Sequence, residues 1–217
     1  MYLAWAAFYE GNTDDNYFRV LLPRLLDDLA RNHGGKLPIV IADYPAFRAG
    51  LLSRNVEKVA EEICEGRESF DLLFVHADQG GRGLAATLSD RCDAFIEAAA
   101  DLCGFQTERA IKMCPRHETE AWALADRQAI CEVLGFNGNP IDLGLPSTPR
   151  QAEKLPDPKA ALSTAIQRAS GRRKMNPGRL LPLIAQAQRL SELRRASSFA
   201  HFENQIVDAM TRYGFMR

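Results

Sequence analysis

The sequence predicts an α/β fold in which a mostly parallel, four-stranded sheet is flanked by helices and followed by a C-terminal helical extension. Apolar runs alternate with amphipathic stretches through the first 134 residues, and only helical patterns follow residue 158. We therefore expect an α/β domain at 1–135, a linker or irregular excursion at 136–158, and a helical C-terminal section at 159–217.

Each element has its own signal. The apolar run at 2–9 predicts a buried strand, and the leucine stripe at 14–32 predicts a helix. Further strands are predicted at 37–42, 71–77 and 109–115, with 43–54 as a loop. Helices are predicted at 55–66, about 84–104, 118–134, 159–169, 178–194 and 199–213. Glycine and proline crowd the stretch between 135 and 158, which is typical of a linker.

The composition is that of an ordinary globular protein. Of the 217 residues, 46% are hydrophobic and 25% charged. No apolar run reaches the roughly 18 to 20 residues of a membrane span, and the first segment lacks the basic start of a signal peptide. We expect a cytoplasmic protein that does not engage a membrane. The cysteines form no C-x-x-C pair and are expected to be reduced thiols.

The net charge of −1 conceals an asymmetry along the chain. Residues 1–157 carry 16 basic and 25 acidic side chains, a net charge of −9, whereas residues 158–217 carry 11 and 3, a net charge of +8. This distribution is expected where one part of a protein holds metal cations and another contacts phosphate or an acidic partner. A solvated basic helix face is the alternative.

Acidic residues follow two predicted strands at the point where each strand ends. Glu10 and Asp14 come after the first strand, and Asp78 ends the third, preceded by His76. Ligands bind at the carboxyl ends of parallel strands, and Mg²⁺ and Mn²⁺ prefer oxygen ligands. The sequence therefore predicts a divalent metal site from these four residues. The alternatives are helix capping for Asp14, a loop opening for Asp78 and a hydrogen-bonded strand end for His76.

Two further segments are candidates for the same edge. Arg82 lies in a glycine-rich loop, 80–83, whose backbone could approach a phosphate. Glu118 and Glu120 follow the fourth strand, and at helical spacing only one of them can face the site. The chain has no P-loop, dinucleotide-binding or serine-hydrolase motif, and His117-Glu118 does not continue to H-E-x-x-H.

Together these motifs resemble a known family. The segments 10–14 (EGNTD) and 75–78 (VHAD) resemble the Toprim fold of topoisomerases, primases and overcoming-lysogenization-defect (OLD) nucleases. With 118–126, 155–159 and 197–202 added, the order of motifs is similar to a Toprim-like family of unknown function. Members of that family often occur beside ABC- or AAA-type ATPases in bacterial phage-defence loci. The resemblance spans nearly the whole chain.

The resemblance implies a Toprim-like domain and Mg²⁺- or Mn²⁺-dependent cleavage of nucleic acid, with DNA favoured over RNA. Glu10 would be a metal ligand or general base, Asp78 the principal ligand of the first ion, and Asp14 a ligand of a second. Glu120 would be an additional catalytic carboxylate. His76 departs from the pattern because it occupies the first acidic position of the family's D-x-D. We expect the nucleic-acid backbone to contact the cationic residues Arg82, Arg172, Arg173, Lys174 and Arg179.

Two other functions stay open at this point. A catalytically lapsed subunit could bind a partner ATPase through the basic helical section, and the His76 departure favours this. A phosphatase or phosphotransferase on a related α/β sheet is the third hypothesis. The sequence leaves a homo-oligomer open.

Overall fold

The computed structural model describes most of the chain. The described residues are 1–33, 38–43, 45, 50–51 (backbone only), 55–80, 83–171 and 175–216. The strands are β1 Tyr2–Leu3, β2 Trp5–Tyr9, β3 Val40–Ile41, β4 Gly50–Leu51, β5 Leu72–His76 and β6 Ala110–Met113. The helices are α1 Asn12–His33, α2 Val56–Gly66, α3 Leu84–Leu88, α4 Ala94–Cys103, α5 Thr119–Ala123, α6 Arg127–Leu134, α7 Pro149–Ala152, α8 Pro158–Ser170, α9 Pro177–Ala187, α10 Leu190–Leu193 and α11 Ser197–Arg212.

A parallel sheet of β2, β5 and β6 forms the centre, with β5 in the middle. Phe8 lies opposite Val75, and His76 lies opposite Met113. The two-residue strand β4 extends the sheet at its β2 edge. Every residue of β2 and β5 is buried, as expected for parallel strands covered on both faces. The predicted α/β class with parallel strands is confirmed.

The predicted four-stranded arrangement is not confirmed. The segment predicted as the second strand contributes only β3, which pairs with β1 in a separate two-stranded sheet. Its Val40 is 59% exposed, so it lacks the burial on both faces that a central parallel strand has. The edge strand β4 instead comes from the stretch predicted as a loop.

Helices cover both faces of the sheet. Alternate residues of a strand point to opposite faces. Trp5 and Phe74 accordingly belong to a core that includes residues of α1, α9 and α11. Phe8 and Val75 belong to a second core that includes residues of α2 and α4. The stripe predicted for α1 is buried in the first core, which confirms the helical spacing there.

Two predicted helices are divided in the structure. The helix predicted at 118–134 ends at Ala123 and resumes at Arg127 because Asp126 caps α6, accepting from the N–H groups of Gln128 and Ala129 at 3.1 and 3.3 Å. The helix predicted at 178–194 breaks between α9 and α10. At that break the side chain of Gln188 turns inward and donates to the carbonyl of Trp122 at 2.8 Å.

The C-terminal helices share the core of the sheet. α9 packs along α1, and Phe199 and Phe202 of α11 pack on Trp122. The segment predicted as a linker contains a 3₁₀ turn and α7, whose Leu143 and Ala152 are buried in the same core. No helix of the described chain is long and apolar enough to span a bilayer.

One sequence expectation about cysteine is wrong. Cys64 of α2 and Cys103 at the end of α4 form a disulfide, with Cα atoms 6.0 Å apart. α2 and α4 pack side by side on one face of the sheet, which brings together two residues separated by 39 positions. Three buried cysteines are free thiols: Cys92, Cys114 and Cys131.

Candidate metal centre

The candidate site lies at the carboxyl edge of the sheet. Because β2 and β5 are parallel neighbours, Glu10 after β2 and Asp78 after β5 meet at this edge. Asp14 lies in the first turn of α1, which begins directly beyond β2. The prediction that these strand ends converge is therefore confirmed at the level of the backbone.

Three of the predicted metal ligands come together. One ligand atom each from Asp14, His76 and Asp78 lies within 4.8 Å of the other two. Asp14 Oδ2 is 3.8 Å from Nδ1 of His76, and Asp78 Oδ1 is 3.3 Å from its Nε2. His76 is fully buried, whereas the side chain of Asp78 is 27% exposed. The cluster is thus enclosed on one side and open to solvent through Asp78.

Thr119 links the members of the cluster. Its hydroxyl donates to Asp14 Oδ1 at 2.7 Å, and it lies 3.1 Å from Nε2 of His76 and 3.5 Å from Asp78 Oδ1. Thr119 is the buried first residue of α5. Sequence reasoning missed this residue because it concentrated on the acids on either side of it.

Glu10 stands beside the cluster rather than within it. One carboxylate oxygen accepts from the backbone N–H of Asp78 at 2.9 Å. The other lies 2.7 Å from Nη2 of Arg91. Arg91 lies in a π-helical turn, Ser89–Asp93, a rare widened turn that is frequent at functional sites. The structure thus places the guanidinium group of Arg91 beside these acids, and the sequence analysis did not single out this residue.

The environment of His76 opposes protonation in one respect and favours it in another. The backbone N–H of Glu10 donates to Nδ1 at 3.3 Å, so the neutral ring carries its proton on Nε2, towards Asp78 and Thr119. Burial lowers the pKa of His76, but the hydrogen bond to Asp78 and the charges of Asp78, Asp14 and Glu10 outweigh it and raise the pKa above its usual range.

The pKa of Asp14 is also raised, and burial is the main cause. Burial raises its pKa above the usual range, and the charge of Asp78 raises it further, against the lowering effects of His76 and the Thr119 hydrogen bond. Raised pKa values of both the carboxyl and the imidazole mean that the cluster attracts positive charge. A proton or a metal cation would satisfy that demand.

Of the two glutamates that follow β6, Glu120 is buried and Glu118 is only half-buried. Burial raises the pKa of Glu120 to about 7, and the charges of Glu118 and Asp78 contribute. The carboxylate of Glu118 instead accepts from the N–H of Lys159 at the start of α8, at 3.2 Å. A carboxyl group that titrates near neutral pH can serve as general acid or base.

Of the five residues predicted to contact nucleic acid, the structure describes only Arg179. Arg82, Arg172, Arg173 and Lys174 lie outside the described residues. Arg179 is exposed in the first turn of α9. Its neighbour Gly178 approaches α1 closely, since a Cβ there would lie 3.2 Å from Cγ2 of Thr13. The first turn of α9 is therefore next to the turn that carries Asp14.

The cluster can hold one divalent cation through two carboxylates and an imidazole, with Thr119 orienting Asp14 and Arg91 orienting Glu10. Comparison of the chain with known protein families, with characterised proteins and with solved structures finds no match.

Proposed function

We propose that the protein is a Toprim-like, divalent-metal-dependent nuclease related to the OLD family, and that it cleaves phosphodiester bonds. The observation that carries the proposal is the meeting of Asp14, His76 and Asp78 at the carboxyl edge of parallel strands. The sequence resemblance supports the same reading, since these residues occupy the acidic positions of the Toprim motifs.

The donor set fits Mg²⁺ or Mn²⁺. Carboxylates suit both ions, and a coordinating imidazole shifts the preference towards Mn²⁺. Asp14 and Asp78 would hold the cation, and the ion would polarise a phosphoryl oxygen and lower the pKa of bound water. While Nδ1 accepts from the Glu10 N–H, His76 donates from Nε2 to Asp78; coordination through Nε2 would require the ring proton to move to Nδ1 and the Glu10 bond to be released.

The surrounding residues supply the other parts of such a site. Glu10 fixes the Asp78 backbone, and Glu120 offers a carboxyl group with a pKa of about 7 for proton transfer. Arg91 offers a guanidinium for the negative charge of a phosphodiester. DNA as the preferred substrate, an ABC- or AAA-type ATPase as partner and a role in phage defence rest on the resemblance alone.

The deciding experiment is a cleavage assay on plasmid and single-stranded DNA with Mg²⁺, Mn²⁺ or EDTA. We expect metal-dependent cleavage that Asp78→Asn and Asp14→Asn reduce by about 100-fold or more. Asp142→Asn, an exposed acid distant in sequence, is the matched control and should retain full activity. Equal activity of all four proteins would reject the assignment.

A lapsed regulatory subunit is the second candidate. Two observations favour it: His76 stands where the family has an acid, and Glu10 is paired with Arg91 instead of joining the cluster. Calorimetry with Mn²⁺ separates the two functions. Absence of metal binding, together with co-purification of an ATPase, would select the regulatory subunit over the nuclease.

A further inference from the structure

A groove runs from the loop after β5 across the start of α11. Its inner part is a cavity of about 260 Å³ lined by Gln79, the residue after Asp78. Its outer part is a cavity of about 770 Å³. Ser197 and His201 line both, so the two cavities adjoin. The charged residues of this surface, here called the basic groove, are Lys112, Arg116, Arg150, Arg194 and Arg195.

The charges of the basic groove are all of one sign. None of its described lining residues is acidic. Lys112 is paired with Asp93, and Arg194 and Arg195 also have acidic partners outside the groove. Arg116 and Arg150 are exposed, and within the described chain no ion pair or hydrogen bond engages either guanidinium. These two cations are available to an anionic ligand.

The N-terminus of α11, which lies in the groove, is capped by a buried carboxylate of the protein itself. Glu153 is buried, and its carboxylate accepts from the backbone N–H groups of Ser197 and Ser198 at 2.7 Å each, as well as from both hydroxyls. These bonds lower the pKa of Glu153 despite its burial. The first two N–H groups of α11 are therefore already engaged, and the arginine side chains are the groups that would bind a phosphate.

We propose that the basic groove holds the phosphodiester backbone of the nucleic acid, with Arg116 and Arg150 as its main phosphate contacts. This inference rests on the proposed function. Gln79 directly follows Asp78, and Arg116 follows the end of β6, so the inner end of the groove lies on the same carboxyl edge of the sheet as the metal cluster. Guanidinium groups form bidentate hydrogen bonds with phosphate oxygens, and contacts of this kind position a nucleic acid without reading its sequence. The path differs from the one predicted through Arg172 to Arg179.

The test measures binding without cleavage. A fluorescein-labelled single-stranded DNA of about 20 nucleotides is titrated with protein in EDTA and followed by anisotropy across a salt series. We expect Arg116→Glu/Arg150→Glu to weaken binding by about 10-fold or more, and to reduce the salt slope by about 2. The control Lys58→Glu/Arg212→Glu makes the same change in net charge at exposed residues outside the groove, and it should bind within about 2-fold of the parent.

The outcomes separate this inference from the proposed nuclease function. Loss of binding in the groove variant alone supports the groove even if the parent protein cleaves nothing. Equal weakening in the control, or weakening by Arg179→Glu alone, would overturn it while leaving the nuclease function open. Equal competition by a polyglutamate peptide of the same charge would also overturn it, since the groove would then serve an acidic protein partner.

Discussion

The backbone N–H of Glu10 donates to Nδ1 of His76 at 3.3 Å, which couples the ends of two neighbouring strands. The side chain of Glu10 forms a second bond between the two strand ends, since its carboxylate accepts from the N–H of Asp78 at 2.9 Å. The imidazole is thereby held with Nε2 towards Asp78 and Thr119. Any cation that enters the cluster meets a geometry set by these backbone bonds.

Replacing His76 by aspartate should make the fold depend on metal. The change places an acid at the position where the Toprim motifs that the sequence resembles have one, but it adds a buried carboxylate beside Asp14 and Asp78. In EDTA we expect the Tm to fall by roughly 5 to 10 °C, because a buried charge lacks a partner. Saturating Mg²⁺ should raise the Tm of the variant by more than it raises the Tm of the parent protein. The control His33→Asp, at an exposed helix end, should show no such difference, and an equal Mg²⁺ response in all three proteins would contradict the prediction.

The Thr119 hydroxyl should matter more than the Thr119 methyl group. Thr119→Val leaves Asp14 Oδ1 without its 2.7 Å donor, and we expect a loss of about 1 to 3 kcal/mol in the free energy of unfolding. Thr119→Ser keeps the hydroxyl and should lose less. Urea denaturation measures both variants. A serine variant as unstable as the valine variant would show that packing, not the hydrogen bond, explains the effect.

Glu120 should make the metal-free protein less stable as the pH rises. Its folded pKa of about 7 lies above the usual value of 4.5, so the folded state retains a proton that the unfolded state has released. Stability is therefore lost between about pH 4.5 and 7. Glu120→Gln should be more stable than the parent at about pH 8 by on the order of 2 to 3 kcal/mol, and nearly equal at about pH 5. Thermal melts in EDTA measure this, with exposed Glu132→Gln as control. A parallel pH dependence of parent and Glu120→Gln would refute the assignment.

In the parent protein, Arg91 is expected to lower the affinity of the cluster for metal, because it forms an ion pair with Glu10. Its guanidinium lies 2.7 Å from the Glu10 carboxylate and places positive charge beside the cluster. We expect Arg91→Met to bind Mn²⁺ about 3- to 10-fold more tightly by calorimetry, because repulsion of the cation is removed and Glu10 is released. Arg91→Lys retains the charge and should resemble the parent. Cleavage should fall in Arg91→Met despite the tighter binding if Arg91 contacts the phosphate. Unchanged affinity would show that the charge of Arg91 does not reach the cluster.

Patterns in the amino-acid sequence were sufficient to identify most of the local elements and the edge of the sheet where the acids lie. Alternation of apolar runs with helical stripes identified β2, β5, β6 and α1. A strand or helix that is buried in a core shows this apolar pattern whichever element it packs against. The placement of Asp14, His76 and Asp78 at one edge followed from parallel strand order, because all carboxyl ends of such strands share one side.

The contacts between side chains of the site depend on how the whole chain packs. The Thr119 bridge, the Arg91 partner of Glu10 and the Cys64–Cys103 disulfide join residues that are distant along the chain, and short-range periodicity carries no information about such pairs. The strand β4 was likewise predicted as a loop, because two paired residues give too little apolar pattern to distinguish a strand from a loop. Side-chain geometry at the site depends on how whole helices pack on the sheet, and that packing is a property of the assembled fold.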